Sequence, residues 1–134
     1  MAAKPSNKSS AGPPPYFASV AVVVSDTRKA RDWYASKLGL DVIDDGDHWI
    51  TVGRKGKGGK LHLCLVSEAG PGQSLEPGNS GILLALPGKD FRAGCAALKA
   101  RGVEFAVEPT TESWGTYAMI RDPDGNEHCL MPDA

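Results

Sequence analysis

The run YFASVAVVVSD, from Tyr16 to Asp26, is β-branched and apolar and predicts a buried strand. The segment after it, TRKARDWYASKLG, sets Ala30, Trp33, Tyr34 and Leu38 on one face at helical spacing. Asp26 or Ser25 caps its start and Gly39 stops it. LDVIDD and DHWITVGR predict two short strands, and GRKGKGGK a Gly/Lys turn. KLHLCLVSE alternates strictly: Leu61, Leu63 and Leu65 share one face, His62, Cys64 and Val66 the other. That is the pattern of a half-buried strand. Residues 67–80, SEAGPGQSLEPGNS, predict a linker rich in Gly, Pro and Ser.

Beyond the linker the same order of elements returns. GILLALPG predicts a strand. KDFRAGCAALKARG predicts a helix with Phe91, Cys95 and Leu98 inward and Gly102 as its stop. VEFAVEP predicts a strand ended by Pro109. WGTYAMIRD and EHCLMP predict two more, joined by DPDGN as a type I turn with a following bulge. The Asp26-to-Gly39 and Asp90-to-Gly102 spacings differ by one residue, which supports an internal β-α-β-β-β repeat. Residues 1–15, MAAKPSNKSSAGPPP, have no apolar periodicity and predict a mobile tail, read either as a solvated leader or as a docking segment.

Composition narrows the function classes. The chain has 134 residues, 41% hydrophobic and 23% charged, the profile of one globular domain. Its 15 Lys+Arg against 16 Asp+Glu, a net charge of −1, argue against a nucleic-acid partner, which needs positive charge facing phosphates. No apolar run approaches about 18 residues, so no membrane span is expected. Nor is a secretory stretch, since the first residues lack an apolar core. Three widely spaced cysteines, Cys64, Cys95 and Cys129, read as free thiols in a reducing, cytoplasmic setting.

The repeat, the opening D26-TRKARDWYASKLG-L40 and the hairpin D122-P-D-G-N126 together resemble the vicinal oxygen chelate superfamily of glyoxalases, bleomycin-resistance proteins and extradiol dioxygenases. The resemblance spans about residues 16–132. It implies an α+β fold of two βαβββ modules, about 16–66 and 81–132, forming a cup-shaped mixed sheet with helices outside. The cup would hold a ligand or metal. Strand parity agrees: Val20, Val22 and Val24 suit the helix side, whereas Ser19, Ala21, Val23, His62, Cys64, Glu127, Cys129 and Met131 face the cup. His128 and Leu130 turn to the helix.

Metal-dependent relatives place four ligands in the cup, and the corresponding positions here are Ser19, His62, Leu83 and Cys129. Leu83 has no donor atom, and Ser19 is a poor ligand for a divalent cation. The expectation is therefore no cofactor, with a divalent metal left open through His62 and Cys129. His62 could act as a general base or line the cavity. Cys129 could meet His62 as a nucleophilic pair or form a small apolar wall, and Glu127 is the candidate carboxylate beside them. Trp49, Trp114 and Tyr117 border the cup, where planar or cationic ligands would stack. R54-K-G-K-G-G-K60 lacks the P-loop order and reads as a solvated hairpin. DPDGN lacks the spacing and terminal Glu of a calcium loop.

Three functions follow. The first is a binding module that captures a small organic molecule, such as an antibiotic, without chemistry. The second is a glyoxalase-like lyase or isomerase, or a dioxygenase-type enzyme, using His62, Cys129 and Glu127. The third is an interaction protein with a filled cup. By the resemblance, the partners are a small-molecule ligand and a second copy in a homodimer.

Overall fold

Two helices capped by aspartates divide the chain into two like halves. In the computed structural model, which describes residues 12–70 and 74–133, α1 spans Thr27–Lys37 and α2 spans Phe91–Ala100. The Asp26 carboxylate accepts from the Arg28 and Lys29 amides at 3.1 and 3.0 Å; the Asp90 carboxylate accepts from the Ala93 amide at 3.0 Å. Each satisfies N–H groups that a helix start leaves without partners. Gly39 and Gly102 follow the two helices at φ +73° and +93°, a conformation that favours glycine.

The strands are β1 (Val20–Val24), β2 (Asp41–Asp45), β3 (Ile50–Arg54) and β4 (Lys57–Leu65) in the first module. The second has β5 (Gly78–Leu86), β6 (Glu104–Glu112), β7 (Gly115–Arg121) and β8 (Asn126–Pro132). They form two four-stranded sheets, ordered β1-β4-β3-β2 and β5-β8-β7-β6. The first pair of each is parallel and the rest antiparallel, so both sheets are mixed. This is the predicted βαβββ repeat, with a helix against one face of each sheet.

Alternation along the strands decides what packs. Val22, Val24, Ile50, Val52, Leu61 and Leu63 bury themselves with Ala30 and Tyr34 of α1. Cys95 and Leu98 of α2 join Val103, Ala118, Ile120 and Leu130 in a second core. A fully buried Leu or Ile contributes roughly 1.5–3 kcal/mol. Trp33 of α1 and Leu38, the residue that caps its C-terminus, pack against both cores. Helix α1 is therefore shared, and the closed faces of both sheets meet on it.

Several boundaries differ from expectation. The first strand begins at Val20, not Tyr16, and Tyr16 and Phe17 are 87% and 100% exposed. Because Val20 pairs with Leu61, extending β1 backwards would set Phe17–Ser19 beside Gly58–Lys60, which has no apolar side chain to pack. The Gly/Lys segment turns only at Lys55–Gly56 and is strand again from Lys57. Gly53 serves close approach there, since a Cβ would come within 2.9 Å of the Gly59 carbonyl. Pro109 does not end its strand. β6 is the edge of its sheet and shifts register between Val107 and Thr110, so the missing N–H is tolerated. Val66–Glu68 form a 3₁₀ turn, and β5 starts at Gly78 inside the expected linker. The predicted tail lies outside the described residues as far as residue 11.

Candidate functional site

Each sheet keeps one face free of helix. In the first sheet this open face carries Ala21, Thr51, His62 and Cys64, as the register Ala21↔His62 and Thr51↔His62 requires, with Trp49 just before β3. In the second it carries Leu83, Ala85, Met119, Cys129 and Met131, from Leu83↔Cys129, Ala85↔Met131 and Met119↔Cys129. The expected parity of β8 holds: Asn126, His128 and Leu130 are buried, while Glu127, Cys129 and Met131 are half-buried. Both closed faces meet α1, so both open faces turn away from it. Leu83, Trp49 and Trp114 are consequently 65%, 55% and 62% exposed.

The first open face ends in a small cavity of about 160 Å³, lined by Thr27, His48, Trp49, His62, Cys64 and Glu68 among others. His62 is 9% exposed, and its Nδ1 is buried with no hydrogen-bond partner among the described residues. The Trp49 indole stacks on its ring, with centroids 4.0 Å apart and planes 28° apart. Trp49 sits at the end of a short loop. Its carbonyl accepts from the Gly46 amide at 2.8 Å, Asp47 meets Arg28 at 3.4 Å, and His48 Nδ1 lies 2.7 Å from Glu68 Oε2. His48 is at the surface.

The chain does not bring Glu127 or Cys129 to His62. They stand on the other sheet and do not line this cavity. Glu127 instead accepts from Arg121 Nε at 3.1 Å, and Arg121 also donates to Glu104 at 2.9 Å. Burial pushes the Cys129 thiol up, opposite to what a nucleophile needs. The Cys64 sulfur lies 3.8 Å from the Leu65 carbonyl, a weak contact. Trp114 and Tyr117 stand together with centroids 5.1 Å apart. Ser19 is half-buried just before β1. Arg54, Lys57 and Lys60 rim a second cavity of about 430 Å³ beside Phe17 and Ile43, with Lys57 and Lys60 each 3.6 Å from a carboxylate.

A metal does not fit the four equivalent positions. Leu83 offers no donor, and Ser19 is a poor ligand for a divalent cation. Among the described residues no three His, Cys, Asp or Glu side chains are grouped to hold one.

Comparison with known proteins places the whole arrangement. The family model for the glyoxalase/bleomycin resistance protein/dioxygenase superfamily matches residues 16–130. The chain belongs to that superfamily. It is similar to a member of the superfamily from Sphaerobacter thermophilus, with TM-score 0.75 and 30% identity over 89% of this chain and 98% of that one. It is also similar to TnmS3, an antibiotic binding protein from a Streptomyces species, with TM-score 0.68 and 33% identity over 90% and 97%. An uncharacterized Bacillus subtilis protein, YetH, is 29% identical over 83% of this chain and 92% of its own.

One feature of this superfamily chain escaped sequence reading. Behind the second sheet, Tyr34 of α1 donates to Asp122 Oδ2 at 2.7 Å and lies 2.6 Å from His128 Nε2. Its single proton goes to the carboxylate, so His128 Nε2–H donates to the phenol oxygen. His128 Nδ1 lies 2.7 Å from the Ser80 hydroxyl, whose single proton it shares with the Glu127 carbonyl 3.0 Å away. Asp122 also accepts from the amides of Asp124 and Asn126 and from the Asn126 side chain, whose amide reaches the Val23 carbonyl at 3.2 Å. Burial, with Asp122 beside it, pushes the Tyr34 phenol well above its ordinary range, and burial pushes His128 down. The D-P-D-G-N motif and an inward His128 were legible. Their meeting with Tyr34, 94 residues from His128 along the chain, was not.

Proposed function

We propose that the chain captures a small organic molecule on its open sheet faces, and that two copies pair so that these faces meet around the ligand. The observation that carries this reading is the exposure of Leu83, Trp49 and Trp114 on or beside faces that the chain's own helices leave uncovered. Trp49 and the Trp114–Tyr117 pair offer aromatic surface to a planar guest. The similarity to an antibiotic binding protein supports a guest of that kind. Capture is favoured over turnover because His62 Nδ1 has no orienting partner among the described residues and burial pushes the Cys129 thiol pKa up. A cytoplasmic setting agrees with three free thiols.

The test is equilibrium dialysis against a panel of planar aromatic antibiotics, with mass spectrometry of the recovered molecule. Saturable binding with the ligand returned unchanged supports capture. A new product replaces this reading with the lyase, isomerase or dioxygenase one. Sedimentation velocity tests the pairing. A dimer that Leu83→Glu converts to monomer supports it, and a wild-type monomer at every concentration overturns it.

A further inference from the structure

We propose that the β3–β4 hairpin carries a second binding site, for a small organic anion with an apolar body. This site stands independently of the capture reading. The cavity there, about 430 Å³, has the size of a small-molecule pocket and shares no lining residue with the His62 cavity. Every charged side chain in its wall is basic: Arg54, Lys55, Lys57 and Lys60. The neighbouring carboxylates lie outside that wall. Asp41 accepts from the Lys55 amide at 2.9 Å, and Asp133 and Asp44 stand 3.6 Å from Lys57 and Lys60. Among the described residues, no carboxylate pairs with the Arg54 or Lys55 side chain. In a chain of net charge −1, four cations within residues 54–60 make a local positive field.

The backbone leaves room for the guest. Gly58 and Gly59 fall between the pairs Arg54↔Lys57 and Gly53↔Lys60, a bulge that gives neither a partner in β3. β1 begins opposite Leu61, so neither has a partner there. A Cβ built on Gly56, Gly58 or Gly59 meets nothing within 4 Å. The wall is therefore bare main chain among flexible cations, and a ligand can approach it closely. Apolar surface comes from Phe17, 100% exposed, and Ile43, half-buried, which line the same cavity. Exposed charges are screened at physiological salt, so an anion alone gains little here. An anion on an apolar body also covers Phe17 and Ile43 and gains from their burial. A cation of the same shape is repelled.

The experiment is an NMR titration of the full chain at about 0.15 M salt, following the amides of Gly56, Gly58 and Gly59. The probes are octyl phosphate, inorganic phosphate and octyltrimethylammonium, the octyl compounds kept below micelle formation. Octyl phosphate is expected to shift the three glycines saturably, to bind about tenfold tighter than phosphate, and to weaken as salt rises. Octyltrimethylammonium should leave them in place. Arg54→Gln combined with Lys55→Gln should weaken octyl phosphate about fivefold. Phe17→Ala should weaken octyl phosphate and leave phosphate unchanged. All three side chains are exposed, so these variants keep the fold. Equal shifts from both octyl compounds overturn the proposal, because the site would then read only the apolar body. Phosphate binding as tightly as octyl phosphate overturns it too, as does full affinity in the double variant. Octyl phosphate that shifts Trp49 or Trp114 and not the glycines overturns this site and leaves capture standing. Sedimentation with phosphatidylcholine vesicles, with and without phosphatidic acid, separates two sources of the anion. Retention on the acidic vesicles assigns it to a lipid headgroup; binding of dissolved octyl phosphate alone assigns it to a free molecule, and both support the site.

Discussion

His62 and His128 occupy similar depths and opposite circumstances. His128, 0% exposed, has both ring nitrogens within hydrogen-bond distance of a side chain, and its partners come from both modules. His62, 9% exposed, makes no hydrogen bond among the described residues and is covered on one side by an indole. Both follow the even–odd parity of a strand. What separates them is the face: His128 looks to the helix shared by the two cores, and His62 looks to the face that the helices leave uncovered. A histidine matched by its own fold is architecture. A buried histidine left unmatched beside a cavity is where the fold leaves room for something else.

The strongest way to break the matched region is Asp122→Ala. It leaves the Tyr34 hydroxyl and three N–H donors without their acceptor, and the folded state is expected to lose about 3 kcal/mol in urea denaturation. Tyr34→Phe is gentler. It removes one hydroxyl between His128 and Asp122 and is expected to cost about 1–2 kcal/mol; a loss below about 0.5 kcal/mol would show that the network does not hold the modules together.

The pH dependence sharpens the same contrast. Folding lowers the His128 pKa below its unfolded value near 6.5, so the unfolded chain binds more protons in that range. The contribution of His128 to stability is therefore complete above about pH 6.5 and declines as the pH falls from there toward the lower folded pKa. His128→Gln is expected to flatten this part of the stability curve between about pH 7 and 5, measured by thermal melts across that range. The smallest effect falls on the unmatched residue. His62→Phe replaces an unsatisfied nitrogen with carbon and keeps the stack on Trp49, so stability should change by less than about 1 kcal/mol. A loss as large as that of Asp122→Ala would mean that His62, too, is architecture.

Much of this organisation is legible along the chain. Asp26 and Asp90 announce their helices because a carboxylate before an amphipathic run satisfies free N–H groups within three residues. Leu61, His62, Leu63 and Cys64 reveal two faces because a strand's side chains alternate whatever it pairs with. The turn at Asp122–Asn126 shows for the same local reason, with Gly125 at φ +83°. What failed was also local in origin. Pro109 reads as a stop because sequence does not say which strand is an edge. Tyr16 and Phe17 read as strand because the stretch they would lie beside, rich in glycine and lysine, is some forty residues away.

The sequence by itself determined the repeat, the caps, the inward face of each element and the absence of a donor at Leu83, since each depends on residues a few positions apart. Only the tertiary structure decided that α1 serves both cores, that Tyr34, Asp122, His128 and Ser80 form one matched network, and that His62 and Cys129 lie on separate open faces. These are choices among long-range pairings that leave the local periodicity unchanged. Packing the closed faces on one helix settled them, because apolar side chains of both sheets are buried there while Tyr34, Asp122 and His128 find partners in one another.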